Sequence, residues 1–403
     1  LHILLVNGSL MALGRNNHGQ LGVGNDSRVY HQPIPVTLPL KISVAKISTG
    51  KSHSLLLSTD GAVYATGSNE FGQLGLGEGK KYSDGVSSFT PIPQLTSNVK
   101  DIACGHDYSV ACSENEGYVY TFGHPEYGQL GHGTNGEYIE KSGKTSYHYV
   151  MKPQIIENYY RKDKHSKILN TISYTDVKIR SVTAGKNHTM LIEEWDTSVA
   201  PKALNRVFAF GTGGYGRLGH GSAITADELA PREVAYFTCQ LQDGSYVMPI
   251  NPQLKLRHIF AEPTFSLGVS ETGLLYHWGK MASARGGEST MYPKMEPATQ
   301  TLPCGSRVAA GHNCVVLGFN DCSCVWGAPC AGYYGLEGGA RSTTVPKYVE
   351  GINDLCVTNC SAGYGHVAYV VKDRGDNAEA TRRFANFPKL QPASTLSQDT
   401  AGE

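Results

Sequence analysis

The sequence predicts an all-β fold, a seven-bladed β-propeller, and three observations support this. A glycine-rich segment is repeated along the chain. A second signature recurs before it, namely a small residue, Gly, two variable residues, His and an apolar run, as in TGKSHSLLL (Thr49–Leu57) and AGKNHTMLI (Ala184–Ile192). The composition combines 47 Gly and 23 Tyr with only 17% charged residues, which favours tight turns and aromatic strand faces over helices.

The glycine-rich segment sets the period. Its four clearest copies are LMALGRNNHGQLG (Leu10–Gly22), VYATGSNEFGQLG (Val63–Gly75), VYTFGHPEYGQLG (Val119–Gly131) and VFAFGTGGYGRLG (Val207–Gly219). The central glycines, with two weaker copies included, are Gly14, Gly67, Gly123, Gly211, Gly279 and Gly327, and we interpret them as structural repeat glycines. Their intervals are 53, 56, 88, 68 and 48 residues. A period of about 50 residues with two long intervals indicates repeated units with insertions.

Each repeat unit predicts one blade. The small-Gly pair opens an inner strand, a second strand follows the His, and a third precedes the central glycine. The Leu of Gly-Gln-Leu-Gly is expected in the core between blades, while the His and Gln satisfy buried backbone groups. Seven copies of the His signature against six glycine-rich copies predict a propeller over residues 1–372, whose closing blade is incomplete at the N-terminus.

Two insertions interrupt the period, at 138–180 and 236–258. Within the first, two strand-like runs flank Arg161–Lys167, which predicts a protruding hairpin with a basic tip. Residues 138–180 hold nine basic and four acidic side chains, a local net charge of +5. In the second, Asp243-Gly244 predicts a short hairpin turn. Because long loops on a rigid scaffold often carry function, the first hairpin is the candidate site.

The rest of the sequence narrows the class of protein. Lys+Arg and Asp+Glu are both 35, so a globally basic nucleic-acid binder is not indicated. No apolar run is long enough to span a membrane. The ten Cys lack a CxxC pair and favour reduced, buried thiols in an intracellular protein. Residues 373–403 are polar and predict a flexible C-terminal tail, and we expect an N-terminal segment to precede Leu1.

The sequence gives only weak matches to the motifs of nucleotide-binding and catalytic sites. Gly211, Gly213 and Gly216 match GxGxxG after a strand, but no helix pattern follows them, so a nucleotide site is not expected. The sequence has no GxxxxGK[ST], GxSxG or HExxH. We therefore expect no catalytic residues, no metal, no cofactor and no small-molecule substrate, and a monomeric chain.

The paired signatures resemble the regulator of chromosome condensation repeat. HPEYGQLGH (His124–His132), GGYGRLGH (Gly213–His220) and ESTMYPK (Glu288–Lys294) are similar to segments of its second-regulator subfamily, the telophase-disc type. The resemblance implies a propeller of this type that acts on chromosomes, centromeres and microtubules during mitosis, in the nucleus and cytoskeleton, with the cytoplasm also open. It further implies partnership with small GTPases of the Ral, Rac, Arf or Ran type.

Three functions remain open at this point, the third being a purely structural propeller inside a larger assembly. The first is a non-enzymatic binding platform for a small GTPase, with guanine nucleotide exchange as the implied activity. Its candidate residues are Arg161, Lys162, Asp163, Lys164 and Lys167, with Asp163 as a competitor for Mg²⁺ or a switch-region cation. The alternative is an adaptor for nucleosomes or microtubules without exchange activity, using the same basic residues.

Overall fold

A computed structural model describes residues 1–6, 8–26, 29–39, 42–79, 84–194, 205–221, 226–240, 246–247, 254–281, 289–295, 301–327, 343–363 and 366–386. The chain divides into two compact units. The first comprises Leu1–Glu126 and Asn135–Ile156, and the second comprises Tyr127–Thr134 and Glu157–Phe387.

The first unit consists of three antiparallel sheets and a separate hairpin. Its strands are β1 (His2–Leu4), β2 (Leu10–Arg15), β3 (Val29–Pro35), β4 (Val44–Thr49), β5 (His53–Ser58), β6 (Val63–Gly67), β7 (Val86–Pro91), β8 (Val99–Cys104), β9 (Tyr108–Ser113), β10 (Val119–Gly123), β11 (Glu137–Ile139), β12 (Thr145–Tyr147) and β13 (Val150–Ile155). The sheet orders are β1-β2-β3, β4-β5-β6-β7 and β8-β9-β10-β13, with β11-β12 apart. Strands that are consecutive in sequence pair side by side, as in the blades of a propeller.

The second unit continues the pattern. Its strands are β14 (Asn158–Lys162), β15 (Ile168–Ser173), β16 (Ile179–Ala184), β17 (His188–Glu193), β18 (Val207–Gly211), β19 (Glu228–Glu233), β20 (Cys239–Gln240), β21 (Tyr246–Val247), β22 (Leu256–Ala261), β23 (Phe265–Ser270), β24 (Leu275–Gly279), β25 (Thr290–Met295), β26 (Arg307–Gly311), β27 (Cys314–Gly318), β28 (Ser323–Gly327), β29 (Thr343–Tyr348), β30 (Leu355–Ala362) and β31 (Val367–Asp373), followed by α1 (Ala378–Ala385). The sheet orders are β15-β14-β19-β18-β17-β16, β20-β21, β22-β23-β24-β25, β26-β27-β28-β29 and β30-β31.

The all-β prediction is confirmed, whereas the count of seven blades is not. Across the described ranges, six sheets have three or more strands suited to a blade, and β30-β31 has two. The His signature at Ala362–Val370 builds this two-stranded sheet. No glycine-rich copy follows it to supply a third strand, so the chain continues into α1 instead.

The expectation of a flexible tail over 373–403 does not hold for Ala378–Ala385, which form α1. The Asn377 side chain caps this helix by accepting hydrogen bonds from the backbone N–H groups of Glu379 and Ala380. Ala380 is buried and Phe384 partly buried against β30 and β31, and this packing fixes the helix. Residues 387–403 lie outside the described part of the chain.

Hydrophobic cores lie between adjacent sheets, as the repeat predicts. The Leu of the Gly-Gln-Leu-Gly turn is buried in them, with Leu74 between β4-β7 and the next sheet, and Leu218 beside Trp278. The six repeat glycines share a positive φ of 92 to 117°. At Gly67, a Cβ would lie 2.4 Å from the Ser52 carbonyl oxygen, so a side chain there would collide with the backbone.

The repeated His contacts a serine hydroxyl rather than the backbone group that the sequence predicts. The Ser109 hydroxyl donates to the carbonyl of Gln73 at 2.7 Å, and His53 Nε2 lies 3.0 Å from that hydroxyl. His188, Ser266 and the carbonyl of Arg217 repeat this chain at 3.0 and 2.8 Å. Burial lowers the pKa of His53 to about 4 and that of His188 to about 3, so both rings are neutral near pH 7.

The second predicted insertion forms a hairpin. β20 and β21 pair antiparallel, with Cys239 opposite Val247. Asp243 and Gly244, the residues expected at its turn, lie outside the described residues. No helix in the described ranges is long and apolar enough to cross a membrane.

Candidate partner-binding hairpin

The first insertion contains the predicted hairpin. β14 and β15 pair antiparallel from Asn158 opposite Ser173 to Lys162 opposite Ile168, with a register shift at Arg161/Lys162. Asp163 closes the tip, because its backbone N–H donates to the carbonyl of Lys167 at 2.9 Å. The Asp163 carboxylate also accepts the backbone N–H groups of His165 and Lys167 at 2.8 and 2.9 Å. The hairpin prediction is therefore confirmed.

The prediction that the hairpin protrudes is only partly right, since β14 joins a sheet. β14 pairs parallel with β19 through Tyr160 and Arg232, which extends a four-stranded blade to six strands. Tyr159 is buried and packs edge to face on Phe208, with 5.1 Å between ring centroids. The base of the hairpin is thus part of the hydrophobic core, and only the tip and the outer strand remain for a partner.

Ion pairs anchor the hairpin on β19. Lys162 Nζ lies 2.5 Å from Glu228 Oε2, and Arg232 Nη1 lies 2.7 Å from Glu228 Oε1. Arg232 Nη2 also donates to the carbonyl of Asp163 at 2.8 Å. Arg161 Nε lies 3.9 Å from Glu233 Oε2. Glu228 and Glu233 are nearly fully buried, as is Arg232. A buried carboxylate requires a cationic partner, and the hairpin supplies one cation to each of these two glutamates.

The five predicted site residues consequently divide into three groups. The side chains of Arg161 and Lys162 face the carboxylates of β19, and Asp163 shapes the turn. The N–H donors of Lys167 and His165 hold the pKa of Asp163 below its usual value. Lys164 and Lys167 are exposed at the tip, together with His165. The sequence placed all five in one basic loop, but the structure leaves the two tip lysines facing solvent.

Two apolar residues of β15 were missed as candidate contacts. Ile168 and Leu169 are 51% and 53% exposed and follow directly on Lys167. β15 is an edge strand of the six-stranded sheet, and among the described strands none pairs with its outer edge. The sequence signal was present as an Ile-Leu pair, but a strand assignment alone does not show which strand lies at an edge.

The GxGxxG match of the sequence lies within a repeat turn. Gly211, Gly213 and Gly216 belong to a strand end and a tight turn inside a repeat unit. Within the described ranges, no group of three His, Cys, Asp or Glu is placed to hold a metal ion. The hairpin offers a partner exposed charge and an open strand edge.

Comparison with known sequences identifies the repeat. The family model described as Regulator of chromosome condensation (RCC1) repeat matches residues 7–57, 60–112 and 116–192. Protein RCC2 of Homo sapiens is 32% identical over 398 residues, which cover 97% of this chain and 69% of that protein. The Protein RCC2 homolog of Danio rerio is 31% identical over 395 residues, covering 97% and 72%.

Solved structures agree on the fold. The crystal structure of human WBSCR16 matches with a TM-score of 0.66 and 20% identity, over 91% of this chain and 82% of that one. The structure of Prp20p from Saccharomyces cerevisiae, described with its binding properties to Gsp1p and histones, matches with a TM-score of 0.53 and 17% identity, over 95% and 68%. The resemblance noted from the sequence is confirmed, and the chain belongs to the family of RCC1-repeat propellers that includes the RCC2 proteins.

Proposed function

We propose that this protein is a non-enzymatic binding platform for a small GTPase and that the β14–β15 hairpin is its contact surface. The observation that carries the proposal is the anchored hairpin itself. Its base is fixed by Lys162 and Arg232 on Glu228, while Lys164, Lys167 and an open strand edge face solvent. A rigid element with exposed cations and apolar residues can contact a partner with little loss of conformational entropy.

Such a hairpin can promote nucleotide exchange without a chemical step. A partner that binds the nucleotide-free GTPase more tightly than the loaded form lowers nucleotide affinity by the same factor. We assign the contacts to Lys164 and Lys167. Asp163 could compete for Mg²⁺ only by giving up hydrogen bonds to His165 and Lys167, so its main role is to hold the tip in shape. Support comes from the RCC1-repeat family, in which Prp20p is described as binding Gsp1p.

The test is binding and GDP release across purified GTPases of the Ral, Rac, Arf and Ran groups. We expect one of them to bind and to release labelled GDP faster in the presence of the protein. Lys164→Glu combined with Lys167→Glu should abolish both effects. Lys141→Glu combined with Lys144→Glu, at the tip of the other hairpin of the same insertion, is the matched control. Unchanged binding by the first variant would refute the hairpin assignment, and failure of every GTPase to bind would refute the function.

The alternative is an adaptor for nucleosomes or microtubules, favoured by the net charge of +5 over 138–180. Histones are also named among the binding properties of Prp20p. Phosphate contacts would make affinity fall steeply with salt. Affinity for nucleosomes or tubulin that is unchanged when Lys164 and Lys167 become Ala would count against this role. Replacing Arg161 and Lys162 as well would be less informative, because these two side chains also hold the hairpin in place.

We also propose that the complete propeller has seven blades and acts on chromosomes and the mitotic cytoskeleton. The seventh blade would start from β30-β31, which already forms the first half of a repeat unit. An experimental structure would need to show further strands beside β31. Imaging of the tagged protein through mitosis tests the location, and a signal that avoids chromosomes and spindle throughout would refute it.

A further inference from the structure

Four rings form a contiguous aromatic surface in the first unit, here called the aromatic patch: Phe71, His124, Tyr147 and Tyr149. His124 is its centre, with ring centroids 4.7 Å from Phe71, 5.6 Å from Tyr147 and 5.3 Å from Tyr149. Phe71 also meets Tyr149 edge to face at 5.2 Å. The rings come from two repeat turns and from β12 and the segment after it, so the fold fixes their relative positions.

The patch continues into solvent-exposed residues of the β11–β12 hairpin. Tyr149 is 40% exposed, Tyr138 is 38% exposed, and Tyr138 stacks on His148 at 4.2 Å. Ile139 is 74% exposed beside them in sequence. A contiguous group of exposed aromatic and apolar side chains on a folded surface is typical of an interaction site.

Carboxylates surround these rings. Glu126 accepts a hydrogen bond from the Tyr147 hydroxyl at 3.4 Å, and its other oxygen lies 3.9 Å from His124 Nδ1. Burial raises the pKa of Tyr149, and the negative charges of Glu70, Glu126 and Glu140 raise it further. Burial also lowers the pKa of His124, which disfavours a positive charge on its ring. Lys141 and Lys144 lie at the exposed tip of the hairpin, and Lys152, three residues after Tyr149, is also exposed.

We propose that the aromatic patch binds a protein segment rich in arginine or lysine. Aromatic ring faces attract cations, and exposed carboxylates such as Glu70 complement their charge. An acidic segment would meet the same carboxylates and be repelled. The partner is therefore a basic peptide or a basic surface loop that seats a cationic side chain on the Tyr149 ring. The patch shares no residue with the β14–β15 hairpin.

The test uses the full chain and a fluorescently labelled peptide of alternating Arg and Gly, followed by anisotropy. We expect the peptide to bind and Tyr149→Ala to weaken it by about five- to thirtyfold, since that removes one cation–π contact. Tyr149→Phe keeps the ring face and should bind nearly as well as the unmodified protein. Glu70→Gln should weaken binding and reduce its dependence on salt.

Two controls distinguish the aromatic patch from the hairpin and from non-specific attraction. Lys164→Glu with Lys167→Glu should leave peptide binding unchanged, and a labelled Glu-Gly peptide should not bind. Equal binding by Tyr149→Ala and the unmodified protein would overturn the proposal, as would equal binding of the acidic peptide or no binding of the basic one. Should Tyr149→Ala lower the melting temperature, the exposed Glu70→Gln change decides the question, because it removes only a surface charge.

Discussion

The four-stranded sheet β4–β7 and the six-stranded sheet of the hairpin arise from the same repeat but differ at the Gly-x-Leu-Gly turn. In the first, Gln73 Oε1 accepts the backbone N–H of Phe71 at 2.8 Å, and Gln20 and Gln129 make the equivalent bond in their own repeats. Arg217 stands at this position in the second. Because a guanidinium can only donate, Arg217 Nε binds the carbonyl of Gly214 at 2.8 Å instead.

The change from an accepting to a donating side chain at this position goes with a different backbone conformation. Tyr215, which corresponds to Phe71, adopts a φ of +63°, whereas Phe71 and Tyr127 are not among the positive-φ residues. The next sheet also departs from the repeat, since Glu262 occupies the position of Gly50 in its His signature. At Gly50 a Cβ would lie 2.3 Å from the His53 ring, whereas at Glu262 the repeat His is replaced by Phe265.

The comparison shows that particular repeat positions of the second unit, at Arg217 and Glu262, carry strained or charged groups, whereas the turns of Gln20, Gln73 and Gln129 keep the consensus. The hairpin, the Arg217 turn and Glu262 all belong to the second unit, and we expect the buried or strained groups at these sites to carry an energetic cost. Measuring the stability of variants at each position, with a matched control, tests whether these sites differ from the consensus repeat in energy as well as in sequence.

The largest effect is expected from Arg232→Met. This change removes a buried cation from Glu228 and the donor to the Asp163 carbonyl, so the free energy of unfolding should fall by about 3 kcal/mol. Chemical denaturation measures it. Arg374→Met, which breaks the exposed pair with Asp376, should change the value by less than about 1 kcal/mol. Equal losses from the two variants would show that the hairpin anchor is not energetically distinct.

The second effect depends on pH. Burial raises the pKa of Glu262 from 4.5 to about 8, so between these values the folded chain holds a proton that the unfolded chain has lost. Stability from this group therefore falls as pH rises through this range. Glu262→Gln should remove this fall, making the variant more stable at pH 8 and similar to the unmodified protein near pH 4. Parallel pH profiles of melting temperature for both proteins would contradict the expected shift.

The third effect compares two positions of the repeat. At Tyr215, Gly should be more stable than Ala by about 1 kcal/mol, because the left-handed backbone disfavours a Cβ. At the corresponding Tyr127, whose backbone is not left-handed, Ala should be more stable than Gly by about 0.5–1 kcal/mol. Using Ala and Gly at both sites cancels the loss of the tyrosine ring. The same order at both positions would show that the Arg217 turn stores no strain.

The features that recur in every repeat could be predicted from the sequence, whereas the pairing of the inserted strand β14 with β19 could not. The period located the glycines and the burial of His53, because identical units make identical contacts. The partners of Arg161 and Lys162 are Glu233 and Glu228, more than 60 residues away, and they meet only because β14 pairs with β19. No repeat or motif encodes that pairing. Local charge therefore indicated a basic hairpin but not which of its cations face solvent.

The smallest effect on stability is expected at the tip. Lys164→Glu combined with Lys167→Glu changes two exposed side chains, so the free energy of unfolding should stay within about 0.5 kcal/mol of the unmodified value. Lys162→Met, at the base, should lower it clearly, since Glu228 would lose one of its two cations. The tip variant should instead lose binding to the partner GTPase, because it replaces two attractive charges with repulsive ones. A tip variant as unstable as Lys162→Met would mean that the tip lysines belong to the anchor, and the surface assigned to the partner would then have to be sought on β15 alone.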